Sequence, residues 1–138
     1  MNAAKEYLMK IAEYEERLDR MELEIRVLED AATSITAAPK QDVVTCTGRK
    51  DKLGDLAAEI ADKQQKRDQV WDALIDLKRE AAAMLVRVDK KLYRDILEKR
   101  YFQHKNLKTI ANELPMEYRE LRRNHGRALN AYARVMET

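Results

Sequence analysis

The chain has 138 residues, of which 38 % are charged and only 6 % aromatic, with three Gly and two Pro. This composition is typical of long helices and argues against tight-turned sheets and against the thick core of an enzyme. Residues 86–138 carry 13 Lys or Arg against 7 Asp or Glu, whereas residues 1–85 carry 14 against 18. A basic C-terminal part favours a polyanionic partner, although an unevenly charged solvated surface gives the same counts.

The sequence also predicts the compartment. Cys46 is the only cysteine, which excludes an intrachain disulfide and indicates a reducing environment. The N-terminus lacks the apolar core of a signal peptide, and no stretch approaches the length of a membrane span. We therefore expect a cytoplasmic protein with no membrane partner.

The first segment carries an apolar seam whose steps alternate between three and four residues, which predicts a helix from about residue 2 to 33. Thr33 and Ser34 compete with helical hydrogen bonding, and Pro39 pushes its predecessor toward an extended conformation. These residues and Gly48 predict a long surface loop at about 34–50. The seam comprises Ala4, Tyr7, Ile11, Tyr14, Leu18, Met21, Ile25, Leu28, Ala32 and Ile35.

A second long helix is expected from about Asp51 to Val88, with Lys63 and Arg67 interrupting its seam and Trp71 packing beside it. Two such helices joined by a loop predict an antiparallel coiled-coil hairpin over residues 1–88. Its uncovered apolar surface favours a homodimer, the alternative being that it packs on the C-terminal part. The second seam comprises Leu53, Leu56, Ile60, Val70, Leu74, Leu77, Ala81, Met84 and Val88.

From residue 89 the spacing predicts three shorter helices. The first is capped by Asp89 and runs through Phe102, the second follows an Asn106 cap and ends at Leu114, and the third starts near Glu117 and ends near Met136. A short helix, a turn and a basic helix have the spacing of a helix-turn-helix. The residues expected inside it are Ile110, Ala111, Leu114, Met116, Leu121, Ala128, Leu129 and Tyr132.

We therefore predict an all-α chain in which a helical hairpin at 1–88 precedes a three-helix helix-turn-helix module at 89–138. Steps of three and four place the basic residues of the last helix on one outward side, where Arg suits phosphates and guanine edges. The candidate DNA-binding residues are Tyr118, Arg119, Arg122, Arg123 and Arg127 on that helix, with Lys105 and Lys108 contacting phosphates.

The segment from Tyr93 to Leu129, with Tyr-Arg-Asp-Ile-Leu-Glu-Lys-Arg-Tyr-Phe, Ile-Ala-Asn-Glu-Leu and Arg-Ala-Leu, resembles the fourth region of bacterial sigma factors. Residues 32–37 and 125–129 are also similar to a loop and a tail of small phage and prophage proteins of Gram-positive bacteria, related in layout to ArpU- and RinA-type late-gene regulators. The resemblance implies a phage-encoded transcription regulator in a bacterial host cell, in contact with double-stranded DNA and with host RNA polymerase. It matches Tyr118, Arg119, Arg122 and Arg123 to the positions with which sigma factors contact promoter bases.

Three residues depart from that pattern. Pro115 stands where a glycine with positive φ is usual, Glu117 replaces a Ser or Thr cap, and Asn124 replaces an apolar core residue. A buried Asn without a partner would cost on the order of 1–3 kcal/mol. These departures leave open a protein-interaction adaptor that binds RNA polymerase or a phage packaging component, or the DNA-recognition subunit of a packaging enzyme.

No motif predicts an enzyme, a cofactor or a metal site. His104 is expected in a turn and His125 within the last helix, and neither is accompanied by a Cys or carboxylate cluster with metal-ligand spacing. His125 is expected to pack or to contact phosphate. No phosphate-binding Gly-rich loop, nucleophile elbow or zinc-protease helix is present in the sequence.

Overall fold

The structure is a computed structural model that describes residues 2–37 and 43–138, with side chains for residues 2–35 and 50–138. These residues form helices and no strand, which confirms the all-α prediction. None of the helices in the described ranges has an apolar stretch that could cross a bilayer. The elements are α1 (Ala3–Ala37), α2 (Val43–Leu85), α3 (Lys91–Leu97), a π-helical turn (Glu98–Phe102), α4 (Leu107–Glu113) and α5 (Tyr118–Glu137).

Contacts between residues divide the chain into two units. The first unit joins the described residues up to Glu15 with Leu74–Thr138, and the second comprises Glu16–Ala73. The predicted division after Val88 follows the sequence pattern, whereas the observed units cut through both long helices. The seam continues without a break past residues 15 and 74, so its periodicity carries no signal of this boundary.

The seam of α1 is confirmed by burial. All ten of its predicted positions lie buried or half-buried, and Leu18 and Ile25 are almost inaccessible to solvent. Leu8, which lies outside the strict three-four spacing, is also fully buried. A helix in a globular protein commonly buries a wider apolar stripe than the a and d positions of a coiled coil provide. Leu8 widens the buried stripe of α1 in that way.

In the second unit, one predicted seam position of α2 carries an ion pair. The Lys63 ammonium lies 3.0 Å from a carboxylate oxygen of Glu24, and this hydrogen bond and charge raise the pKa of Lys63. Lys63 and Arg67 are half-buried, as expected of long side chains whose stems cover apolar surface while their charged ends reach water. The prediction for Trp71 is wrong, because 51 % of it is exposed. It is offset by about 100° from Val70 around the helix, which carries it off the seam.

The predicted loop at 34–50 is also wrong in extent. Helix α1 continues to Ala37 and α2 begins at Val43, while Pro39 lies outside the described residues. The Thr33 hydroxyl donates to the carbonyl of Glu29 at 2.9 Å, four residues back. Such a bond lets a threonine remain within a helix instead of ending it.

The C-terminal helices of the first unit pack around a small apolar core. Ile96 of α3, Ile110 and Ala111 of α4 and Leu121 of α5 form its centre. Leu114 and Met116 pack against it from the turn between α4 and α5, together with Leu92 and Leu107. Four of the residues predicted to lie inside, Leu121, Ala128, Leu129 and Tyr132, are buried on α5, as predicted.

The connection into α3 departs from the prediction. Lys90 and not Asp89 occupies the cap position of α3, and no side chain caps it. Instead the Arg94 guanidinium donates to the carbonyl oxygens of Val88 and, at 2.9 Å, Asp89. Arginine carries enough donors to bind two carbonyls at once, and this holds the connection in place.

The helix predicted to reach Phe102 changes type before it ends. Its last turn is π-helical, with the Gln103 N–H donating to the Glu98 carbonyl five residues back at 3.0 Å. His104 then adopts a left-handed conformation with φ of 58°, which ends the helix. The helix therefore ends at Phe102, as predicted.

Asn106 caps α4 as predicted, and its removal provides a first test of the fold. Its side-chain oxygen accepts from the backbone N–H of Thr109 at 2.8 Å. We expect Asn106→Ala to lower the free energy of unfolding by about 1 kcal/mol, because the N–H of Thr109 loses its partner. Urea unfolding followed by circular dichroism measures this loss, and Asn112→Ala, on an exposed part of the same helix, should leave the midpoint nearly unchanged. Equal effects of the two substitutions would contradict a capping role.

Candidate nucleic-acid interface

Helix α5 has one buried side and one basic side. Leu121, Ala128 and Tyr132 are fully buried, which fixes the rotation of the helix against its neighbours. Positions that lie about half a turn away from these residues fall on the opposite, exposed side, because the helix turns about 100° per residue. The exposed residues there form what we call the arginine face: Tyr118, Arg119, Arg122, Arg123 and Arg127.

The arginine face is an open surface with one ordered contact. The Arg122 guanidinium carbon lies 5.9 Å from the centre of the Tyr118 ring, within the range of a cation–π interaction. Tyr118 remains 43 % exposed, so its ring and hydroxyl are accessible to a partner. A shallow depression of about 510 Å³ lies between Tyr118, Arg119, Arg122 and Arg123. The structure thus brings together on one surface the five helix residues that the sequence singled out.

The charges of the arginine face are not neutralised within the described part of the chain. None of its four arginines lies within ion-pairing distance of a carboxylate there. Glu117 and Glu120 border a smaller depression that Arg119, Arg123 and Arg127 also line, and they reduce the positive potential on that side. Four guanidinium groups against two carboxylates leave a surface suited to an anionic partner.

The turn before α5 accommodates the unusual proline. No residue from Leu114 to Glu117 has a positive φ, so the turn needs no glycine and Pro115 fits it. The turn is closed by the N–H of Met116, which donates to the Ala111 carbonyl at 3.1 Å. Glu117 occupies the cap position without a side-chain hydrogen bond, so the first N–H groups of α5 receive no cap from it.

Asn124 is buried, and its partner is weak. Its side chain is 9 % exposed, and its amide nitrogen donates to the Met116 sulfur at 3.8 Å. A thioether is a poor acceptor, so this bond recovers only part of the cost of burying the amide. Asn124 nevertheless packs from α5 against Met116 of the turn, and the core around Leu121 is intact.

The two lysines predicted to contact phosphate differ in their surroundings. Lys108 is exposed on α4, whereas the Lys105 ammonium lies 2.7 Å from a carboxylate oxygen of Glu113. Lys99 shares that oxygen at the same distance. Hydrogen bonds from the two ammonium groups lower the pKa of Glu113. Glu113 competes with a phosphate for Lys105, and sequence reasoning missed this pairing because the three residues come from different elements.

In the described part of the chain, neither histidine belongs to a group of side chains that could bind a metal ion. Nowhere in the described ranges do three or more His, Cys, Asp or Glu side chains group as a metal site would require. His104 lies beside the Glu15 carboxylate, and His125 is half-buried against Tyr101, whose hydroxyl lies 2.9 Å from its Nε2. The side chain of Cys46 lies outside the described residues.

Comparison with known proteins identifies no relative of the chain. The chain matches no protein-family model, and no curated protein or solved structure matches it either. The likeness to sigma factors and phage regulators therefore depends on the residues quoted for it. Function is inferred from the arginine face and the core that supports it.

Proposed function

We propose that the chain is a sequence-specific DNA-binding regulator of transcription, in which α4, the turn at 114–117 and α5 act as a helix-turn-helix. The observation that carries the proposal is the arginine face, whose four guanidinium groups lack ion-pair partners among the described residues. A buried core beneath α5 fixes the rotation of the helix that carries these groups, so the backbone of the face is ordered before any partner arrives.

The dimensions of α5 support the use of the major groove. A helix with its side chains is about 10–12 Å across, and the major groove of B-DNA is about 12 Å wide. In this arrangement Arg119, Arg122 and Arg123 contact base edges or phosphates near the N-terminal end of α5, and Lys108 contacts the backbone. Tyr118 places its ring beside the bases.

We further propose that α1 and α2 form a hairpin that joins two copies of the chain. Among the side chains of the second unit that the structure describes, three large apolar ones are more than half exposed: Leu23, Val27 and Trp71. Isolated exposed apolar residues are ordinary, but Leu23 and Val27 are four residues apart on one side of α1, and neighbouring exposed apolar residues favour contact with a protein. A dimer would present two arginine faces to two half-sites, as in other helix-turn-helix regulators.

Substitution of two arginines tests the proposal. A duplex selected by the full-length chain from a randomised pool is labelled, and its binding is followed by fluorescence anisotropy at several salt concentrations. We expect Arg122→Ala combined with Arg123→Ala to weaken binding by at least about tenfold. The slope of log K against log salt should fall by about 0.9 for each phosphate that is no longer neutralised by an arginine.

The matched control is Arg20→Ala combined with Arg26→Ala, two exposed arginines of α1 whose removal changes the net charge equally. Binding of this control should stay within about twofold of the unchanged chain, because long-range charge effects are screened by salt. Equal weakening in both double variants would show a general charge effect. Selection of no duplex at all would overturn the proposal.

The exposed apolar residues of the second unit favour one alternative, a protein-interaction adaptor that binds RNA polymerase or a phage packaging component. In that case Trp71→Ala should abolish capture of the partner, whereas the arginine variants should not. Salt-sensitive, sequence-selective DNA binding by the full chain would exclude the adaptor as the sole function.

A further inference from the structure

A second basic site lies at the far end of α5. A cleft of about 380 Å³ is formed where the connection after α2, the start of α3 and the last turns of α5 meet within the first unit. Its volume falls in the range of small-molecule pockets. Arg134 at this cleft lies fifteen positions after Arg119, which corresponds to about 22 Å along the helix.

Three cations line the cleft, and they have no acidic partner among the described residues. Arg87, Lys90 and Arg134 all border it, and no carboxylate lies within ion-pairing distance of any of them in the described ranges. Arg87 donates to the Thr138 hydroxyl at 2.5 Å, a neutral partner that orients the guanidinium without neutralising it. Asp89 is the one acidic side chain of the lining, against the three basic side chains of Arg87, Lys90 and Arg134.

The rest of the lining is aromatic and apolar. The Lys90 ammonium lies 5.2 Å from the centre of the Tyr93 ring, which places a charge and a ring side by side at the cleft. Val88, which is almost fully buried, and the half-buried Val135 form part of the apolar lining. Cations beside a ring and an apolar wall suit a ligand that combines negative charge with a planar group.

We propose that this cleft binds a phosphorylated small molecule with a planar ring, of which a nucleotide is the simplest example. Arg87, Lys90 and Arg134 hold the phosphates, and Tyr93 packs against the ring. The apolar wall favours a small ligand with a planar group over the backbone of duplex DNA, which presents only sugars and charged phosphates. This site is separate from the arginine face and does not depend on the function proposed for it.

The test uses isothermal titration calorimetry of the full chain at low ionic strength with ADP, pyrophosphate and adenosine. We expect one ADP per chain, weaker binding of pyrophosphate and weaker binding still of adenosine. Arg134→Ala should weaken ADP by at least about tenfold, since a guanidinium–phosphate contact is charge-assisted. Tyr93→Leu should weaken ADP to the affinity of pyrophosphate while pyrophosphate itself is unaffected.

Arg79→Ala is the control, because this exposed arginine of α2 belongs to the same unit, lies outside the cleft and removes the same charge. Its ADP affinity should match that of the unchanged chain. Circular dichroism of every variant establishes that it is folded, and Arg134→Lys, which keeps the charge, should recover part of the affinity. The proposal is overturned by absent ADP binding, by equal weakening in Arg79→Ala and Arg134→Ala, or by displacement of ADP by duplex DNA.

Discussion

Replacing Tyr132 with Ala is expected to lower the free energy of unfolding by about 3–5 kcal/mol, the range for removing a buried aromatic ring. Tyr132 is fully buried on α5, and its hydroxyl donates to the carbonyl of Ala81 in α2 at 2.9 Å. Its ring lies 6.3 Å from that of Tyr7 in α1. One side chain thus joins three helices of the first unit, and its removal leaves a cavity where they meet.

Chemical denaturation monitored by circular dichroism measures this effect. Tyr118→Ala removes the same side chain from an exposed position of the same helix and should change stability by no more than about 0.5 kcal/mol. If Tyr132→Ala does not fold, Tyr132→Phe retains the ring and should cost about 1 kcal/mol because the hydrogen bond to Ala81 is removed. A decrease below about 1 kcal/mol for Tyr132→Ala, well under the range for a buried ring, would show that the three helices do not depend on this side chain.

The core of this unit was predictable from sequence because it follows a simple rule. Residues such as Ile110 and Leu121 are apolar at helical spacing, and a helix that carries them must bury that side. The Asn106 cap followed from side-chain chemistry, since an Asn before a helix has one favoured hydrogen bond. The position of the arginine face then follows, because the residues outside the apolar stripe have only solvent to face.

The errors in prediction have local causes. Thr33 was expected to end a helix, but its hydroxyl bonds back to the Glu29 carbonyl. Asp89 was expected to cap α3, but Arg94 holds the preceding carbonyls and the helix begins later. In both cases a side-chain hydrogen bond to the backbone decided the outcome, and sequence spacing does not distinguish such bonds from their alternatives.

Other features depend on contacts between residues far apart in sequence. Tyr7, Ala81 and Tyr132 meet in one unit, yet each lies on an apolar stripe whose partner the sequence does not specify. The basic residues of the cleft could not be predicted either, because Arg87 and Arg134 are 47 positions apart in the sequence and belong to no common motif. The π-helical turn at Glu98–Phe102 contains one residue more than an α-helical turn. The types of residue in this segment do not indicate that extra residue.

His125 is expected to make the protein less stable as the pH falls from about 6.5 to about 4. Burial, with smaller effects from Arg100 and Lys5, lowers the pKa of His125 to about 4 from its ordinary value of 6.5. Its Nε2 faces the Tyr101 hydroxyl at 2.9 Å, and burial raises the pKa of Tyr101, so the phenol stays protonated and can donate to the neutral ring.

The direction follows from proton binding. Between these two pH values the unfolded chain binds a proton at His125 that the folded chain excludes, so acid favours unfolding; above pH 6.5 neither state binds it and the contribution is constant. From pH 7.5 to 5 the decrease in stability is below about 2 kcal/mol, because solvent screens the exposed part of the ring. His125→Gln stays neutral at every pH and can still accept from Tyr101. Urea unfolding at each pH should therefore show the stability of the unchanged chain falling faster than that of His125→Gln, since the two chains differ only at this residue. Parallel curves would mean that His125 is solvated enough to titrate alike in the folded and unfolded chains.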